Sequence, residues 1–209
     1  MRFISLCVGL LSGAVAAQAD PVSEAEARKF LFPVRGAELA VVGNSGLDAT
    51  QQAITTAILK STEAEGQALY YGALAVSPSF FAMMAENPGT AALSGLLQIT
   101  RNYHSAEAAS RAALDACRAA RKRGHADCVV AGQIRPRGYS ARPLQMSVDA
   151  TEAFKSYRKG SGPKALAISP ATPAFGIGRG DGADDQALTR CNALAQPDGR
   201  QDCETVIRN

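Results

Sequence analysis

Short apolar runs alternate along this chain with alanine-rich stretches that have helical spacing. The run 69–77 (LYYGALAVS) is apolar and is followed by Pro78, which cannot donate to a strand ladder, so it predicts a buried strand. The stretch 105–120 places Ala109, Ala113 and Cys117 at helical spacing, which is typical of the buried face of a helix. Ser105, just before it, is a favourable N-cap. A further β-rich run at 127–134 predicts a second strand.

The same order of segments recurs in the second half. KALAISP at 164–170 matches GALAVSP at 72–78, and stretches 181–195 and 202–207 match the helix and the second strand. The shared skeleton is A-L-A-[VI]-S-P, then A-L-x-x-C-x-A, then D-C. Three matches in register favour an internal duplication over chance. Each copy is predicted as a strand, a hairpin partner (80–85 or 174–178), a helix and a strand, with Asp181 and Asp184 capping the second helix.

Capping signals also mark helices before the first copy. Ser23 and Glu26 form a capping box for a helix that ends before Pro33, and Asp48 with Gln51 opens another that runs to about Ser61. Segments 135–138, 142–143 and 159–163 are predicted as exposed connectors. The fold class is therefore α+β: two disulfide-stapled β-β-α-β pseudo-repeats (67–140 and 164–209), joined by a basic linker (141–163) and preceded by an N-terminal helical segment (20–66).

Residues 1–19 are predicted to be a cleavable export signal. Arg2 precedes an apolar run at 3–15, and Ala17-Gln18-Ala19 has the small residues that a signal peptidase accepts, so we expect cleavage after Ala19. A transmembrane anchor is the alternative, but the apolar run is shorter than the roughly 20 residues that a spanning helix needs. The expected location is periplasmic or secreted.

Removing the signal also removes Cys7 and leaves four cysteines for an oxidising compartment. Of the three possible pairings, the spacing favours two local bridges, Cys117 to Cys128 and Cys191 to Cys203. A structural zinc site would bring its ligands in C-x2–4-C knuckles, and the sequence has none. No metal site is predicted.

The motifs at Gly72–Pro78, Ala113–Cys117 and Cys128 resemble a family of small exported bacterial proteins that is described as a domain of unknown function. In that family a G-A-[IL]-A-x-S-P strand precedes an alanine-rich helix ending A-L-x-x-C and a second cysteine. Segments 165–170 and 187–191 and Cys203 repeat the resemblance more weakly. It implies location and fold, and brings no catalytic residues with it. Chemistry of the 5-aminolevulinate synthase type is not supported, because no lysine lies in a recognisable pyridoxal-phosphate motif.

No catalytic residue is predicted, and the sequence favours a binding protein over an enzyme. Motifs of the H-E-x-x-H and G-x-S-x-G types are missing from the sequence. His125 is expected in a solvated loop and His104 at the surface before a helix cap. Ser77 and Ser169 fit turns better than nucleophiles. An enzyme remains the alternative if Ser77, His104 and His125 converge.

The glycine-rich stretch 176–182 has two interpretations. Glycine lets backbone N–H groups approach a phosphate, but the spacing matches neither nucleotide-binding fingerprint, so a strand running into a helix cap is favoured. Asp181, Asp184 and Asp185 do not have the spacing of an EF-hand calcium loop. No cofactor is predicted.

Charge is distributed unevenly along the chain. Segment 118–164 holds 11 basic and 3 acidic residues, whereas 20–117 holds 6 and 10 and 165–209 holds 4 and 6. The predicted anion-binding band consists of Arg118, Arg121, Lys122, Arg123, Arg135 and Arg137, continued by Arg142, Lys155, Arg158, Lys159 and Lys164. A solubilising face is the alternative.

These features together favour an exported, non-enzymatic binding or cell-envelope accessory protein. Its expected partner is an anionic envelope component or an acidic protein, whereas nucleic acid is not expected because no aromatic residues interleave with the basic ones. A small exported enzyme and an inhibitor of a wall-degrading hydrolase are the competing functions. The sequence does not determine the oligomeric state.

Overall fold

The computed structural model describes residues 20–66, 69–196 and 199–209. The predicted export signal and part of the predicted turn at 197–199 lie outside the described residues. The described chain has seven helices and two antiparallel sheets, which confirms the mixed α+β prediction. No helix within the described ranges is both long and apolar enough to cross a membrane.

The two sheets are formed by consecutive parts of the chain. The strands are β1 (Ala37–Val41), β2 (Gly72–Val76), β3 (Leu97–Thr100), β4 (Val129–Pro136), β5 (Lys164–Ile168), β6 (Phe175–Arg179) and β7 (Glu204–Arg208). The helices are α1 (Glu24–Phe30), α2 (Ala49–Ala64), α3 (Ser79–Glu86), α4 (Pro88–Leu93), α5 (Ala106–Ala120), α6 (Val148–Tyr157) and α7 (Ala183–Ala195). The strand orders are β1-β4-β2-β3 and β6-β5-β7. We refer to 72–136 as the first unit and to 164–208 as the second unit.

Each central strand buries small residues on one face and large residues on the other, because successive side chains of a strand point to opposite faces. The alanines of β2 pack on α5, whereas Leu74 and Val76 face a cluster that includes Leu59 of α2. In the same way the alanines of β5 pack on α7, and Leu166 and Ile168 face α6 and α1. Both sheets are therefore covered by helices on both faces.

The two units share their disulfides and a strand irregularity. Cys117 is bonded to Cys128 and Cys191 to Cys203, as predicted, so α5 and α7 are each tied to the start of the following strand. The pairing of β2 with β4 shifts after Leu74, and that of β5 with β7 shifts after Leu166, at matching positions of the two A-L-A segments. The unpaired residue opposite each shift lies three positions after the second cysteine.

The N-terminal segment contributes an edge to each sheet. The capping boxes at Ser23 and Asp48 are both formed, which confirms the predicted starts of α1 and α2. β1, which the sequence pattern does not predict, pairs antiparallel with β4. Val22 forms a parallel bridge beside β7, donating its N–H to Val206 and accepting from the N–H of Arg208.

The predicted hairpin partner at 80–85 is wrong, because this stretch lies in helix α3. Phe80, Phe81, Met83 and Met84 form the i, i+3, i+4 pattern of a helix, and all four pack against the core of the first unit. Asn87 is the N-cap of the next helix, α4, and its side chain accepts from the N–H of Thr90. The other predicted partner, 174–178, is confirmed as β6, paired with β5.

Three smaller expectations also differ from the structure. Asp181 does not cap α7, because Gly182 occupies the N-cap with a left-handed backbone, and Asp184 binds Arg208. Segment 135–138 is not simply an exposed connector, since Arg135 and the buried Pro136 belong to β4. Segment 141–163 contains α6, which has four buried residues.

Candidate functional site

The predicted basic band divides into groups at the two ends of β4. Arg118, Arg121, Lys122 and Arg123 lie at the end of α5, next to the start of β4, because the disulfide joins these two points. Arg135 and Arg137 lie at the other end of the strand, which at 3.3 Å per residue is about 23 Å away. These residues therefore do not form one anion site.

The group after α5 forms a basic turn, which we define as residues 118–127. Arg118 pairs with Asp115 at 3.6 Å, and Arg121 pairs with Asp127 and donates to the carbonyl of His125 at 3.0 Å. Lys122 and Arg123 are exposed, and their side chains form no hydrogen bond or ion pair with any described residue. The turn thus presents two free cations on a short loop that a disulfide closes.

Of the arginines at the other end of β4, Arg135 is used within the fold, whereas Arg137 is exposed and its side chain forms no hydrogen bond or ion pair with any described residue. Arg135 donates to Gln133 at 2.8 Å, and its guanidinium carbon lies 5.1 Å from the ring centre of Tyr139. The backbone N–H of Arg137 donates to the carbonyl of Gly36. Arg142 lies 3.5 Å over the ring of Phe32 and donates to two carbonyls at the end of α1. Arg142 therefore holds the N-terminal segment in place.

Most of the remaining basic residues of the band are paired with carboxylates. Lys164 is only 4% exposed and donates to Glu24 at 3.0 Å, and Arg158 lies 3.5 Å from the same carboxylate. Lys155 pairs with Glu152 on α6. The contacts of Glu24 connect α1 to β5 and to the end of α6, and the exposed side chain of Lys159 has no partner among the described residues.

Ser77 and Ser169 have the same turn role in the two units. Both are fully buried, and each accepts an N–H from the residues that follow it, Ser79 or Thr172. Each hydroxyl donates to the turn before the second cysteine, that of Ser77 to the carbonyl of Ala126 at 2.8 Å and that of Ser169 to Asp202 at 2.7 Å. The interpretation as turn residues is therefore supported by their contacts.

The expectation of a surface position for His104 is wrong, because its ring is 3% exposed and lies between the two units. The N–H of Ser147 donates to Nδ1 at 3.1 Å, so the ring proton is on Nε2, which donates to the carbonyl of Ala174 at 2.9 Å. Burial lowers the pKa of His104 to about 4. The ring is a neutral bridge with both nitrogens occupied.

The three candidate catalytic residues do not converge. His125 is half-buried in the basic turn, where Nδ1 accepts the N–H of Lys122 at 3.2 Å. His104 and His125 flank the 15 residues of α5, which separate them by about 22 Å at 1.5 Å per residue. An enzyme site that uses Ser77, His104 and His125 together is not assembled.

A cleft of about 330 Å³ lies where the two units and the N-terminal segment meet. Its lining includes His104 and Arg111 from the first unit, Glu204 from the second, and Arg142 and Gln145 from the segment between them. No local motif in the sequence marks this cleft, because its walls come from parts of the chain that are far apart. No sequence motif distinguishes Arg111 and Glu204 from the other charged residues of the surface.

The glycine-rich stretch at 176–182 runs from β6 into α7, as the favoured interpretation expected. Among the described residues, no group of three or more His, Cys, Asp or Glu side chains is arranged to hold a metal ion.

Comparison with family models, curated proteins and solved structures found no match. The resemblance to the exported family with an A-L-x-x-C helix therefore stays a prediction.

Proposed function

We propose that this chain is an exported, non-enzymatic binding or cell-envelope accessory protein that contacts an anionic envelope surface through its basic turn. The observation that carries the proposal is the pair of free cations, Lys122 and Arg123, on a loop closed by the bond from Cys117 to Cys128. A loop that is already ordered loses less conformational entropy when it binds. Two local disulfides in a chain of this size also favour an oxidising compartment.

The proposal includes an origin of the two units by internal duplication. It is supported by the equivalent disulfides, the matching shifts in strand pairing and the equivalent serine turns. The units differ where binding is proposed: the loop between the first pair of cysteines carries the run Arg121-Lys122-Arg123, whereas the loop after Cys191 has no such run. This difference favours a surface role for the first loop only.

Charge reversal tests the basic turn. The double variant Lys122→Glu/Arg123→Glu should lower the affinity for phosphatidylglycerol-containing vesicles about thirtyfold or more, because each basic residue near such a surface contributes about 1 kcal/mol to binding. Co-sedimentation with the vesicles measures this affinity. Binding of the wild type should also fall with added salt. The matched control is Arg28→Glu/Lys29→Glu, the same charge change on an exposed pair in α1.

The two double variants together decide the outcome. Retention of vesicle binding by the Lys122/Arg123 variant, or equal losses in both variants, would contradict a role for this turn. Binding that is indifferent to salt would contradict it as well.

A further inference from the structure

The cleft between the two units has the size and the walls of a small ligand site. Its volume of about 330 Å³ is at the lower end of the range of about 300–1,000 Å³ that small-molecule sites occupy. Aliphatic side chains from three parts of the chain line it, namely Val22, Leu144, Ile168 and Val206. An apolar body of a few carbon atoms would be shielded from water there.

Charges of both signs line the same cleft without partners. Arg111, on the exposed side of α5, forms no ion pair or hydrogen bond with any described residue, and the half-buried Glu204 at the start of β7 also has none. Arg142 adds a second guanidinium, which is fixed by the carbonyls of Phe30 and Leu31. Asp20 adds a second carboxylate, which is exposed and has no side-chain partner among the described residues. The cleft therefore offers a free cation and two free carboxylates around an apolar interior.

Gln145 and His104 line the cleft but do not recognise its ligand. The Oε1 atom of Gln145 is buried without a hydrogen-bond partner and has almost no surface that a molecule in the cleft could reach. His104 does not bind such a molecule, since both of its ring nitrogens are occupied within the fold.

We propose that this cleft binds a small zwitterion of amino-acid size with an aliphatic side chain. The ligand carboxylate pairs with Arg111, its ammonium group donates to Glu204, and its side chain contacts the aliphatic walls. This site is distinct from the basic turn: it lies towards the start of α5, and the turn lies at the end of that helix.

The experiment compares three molecules that share one carbon skeleton. L-Leucine carries both charges, 4-methylpentanoate lacks the ammonium group, and 3-methylbutylamine lacks the carboxylate. In titrations followed by NMR with the chain purified after export, leucine should bind saturably and each single-charge analogue at least tenfold more weakly. Saturable binding of either analogue as tight as that of leucine would overturn the proposal, as would no binding of leucine at millimolar concentration.

Two variants assign the charges to residues. Arg111→Gln should weaken leucine at least tenfold and leave 3-methylbutylamine unchanged, whereas Glu204→Gln should weaken leucine and leave 4-methylpentanoate unchanged. The matched control is Arg118→Gln, on the same helix but outside the cleft, which should bind leucine as the wild type does. Wild-type affinity for leucine in the Arg111 variant would contradict the assignment.

The proposals for the cleft and for the basic turn are tested independently. Arg111→Gln should leave vesicle binding unchanged, and Lys122→Glu/Arg123→Glu should leave leucine binding unchanged. Thermal unfolding of each variant shows whether the fold is retained, and both Arg111 and Arg118 are exposed enough for the substitution to be tolerated.

Discussion

Two neighbouring tyrosines are both buried but differ in their hydrogen bonds. The hydroxyl of Tyr70 donates to the carbonyl of Phe32 at 3.3 Å, whereas the hydroxyl of Tyr71 is buried with no partner. Burial raises the pKa of both phenols, so both are neutral at ordinary pH. The pair allows the contribution of one buried hydrogen bond to be separated from that of the ring.

Removing each hydroxyl should change stability in a different way. Tyr70→Phe should lower the free energy of unfolding by about 1 kcal/mol, because the carbonyl of Phe32 loses its donor. Tyr71→Phe should leave it unchanged or raise it by about 1 kcal/mol, because an unsatisfied polar group is removed. Urea denaturation measures both values. A larger loss in the Tyr71 variant would show that its hydroxyl has a partner in solution.

Among the elements, β6 and α7 are in unusually close contact. A Cβ added at Gly178 would collide with the carbonyl of Ala183, and one added at Gly176 would collide with that of Ala187. Arg190 and Gln186 of α7 also donate to the carbonyls of Ile177 and Arg179. These contacts occupy acceptors on the open edge of β6, so another strand cannot easily add there.

Glycine at position 178 should therefore be required for packing. Gly178→Ala should lower the free energy of unfolding by about 3 kcal/mol, because the obstacle is helix backbone that cannot move aside alone. Gly43→Ala is the matched control: nothing lies within 4 Å of an added Cβ there. Chemical denaturation of both variants gives the comparison. Equal stabilities of the two variants would contradict the close packing of α7 on β6.

The features that the sequence predicted depend on residues close together in the chain. The cap at Ser105 and both disulfides are local, with cysteines 11 and 12 residues apart. The apolar spacing of residues 80–84 is that of a helix, which agrees with α3. Comparison with the second copy instead predicts a strand there. β1 was missed because it pairs with β4 across nearly the whole first unit, as Glu38 opposite Arg135 illustrates. The cleft and the burial of His104 likewise require knowledge of how distant segments meet.

At the scale of the whole molecule, contacts outside the sheets join the two units to each other and to the segments around them. The side chain of Asn102 donates to Asp149 and accepts from its backbone N–H, which joins the loop before α5 to the first turn of α6. Lys164 and Glu24 join β5 to α1. His104 contributes the most buried of these contacts, because it bridges Ala174 and Ser147. The described chain is thus expected to unfold in one cooperative transition, because the two units share an interface.

This interface should depend on pH through His104. Burial lowers its pKa to about 4 in the folded protein, whereas a histidine in an unfolded chain has a pKa of about 6.5. Between these values the unfolded chain binds a proton that the folded chain does not, so the stabilisation is complete above about pH 6.5 and is lost as pH falls towards 4. The contribution is about 3 kcal/mol.

Substitution isolates that contribution from the titration of carboxylates. His104→Gln keeps an N–H donor at this position but does not titrate, so its free energy of unfolding should fall less between pH 7 and pH 4 than that of the wild type, by about 3 kcal/mol. NMR titration of the His104 ring gives a second readout that needs no variant. Parallel stability curves for the wild type and His104→Gln, or a ring that titrates near 6.5, would show that the interface opens readily enough for water to reach His104.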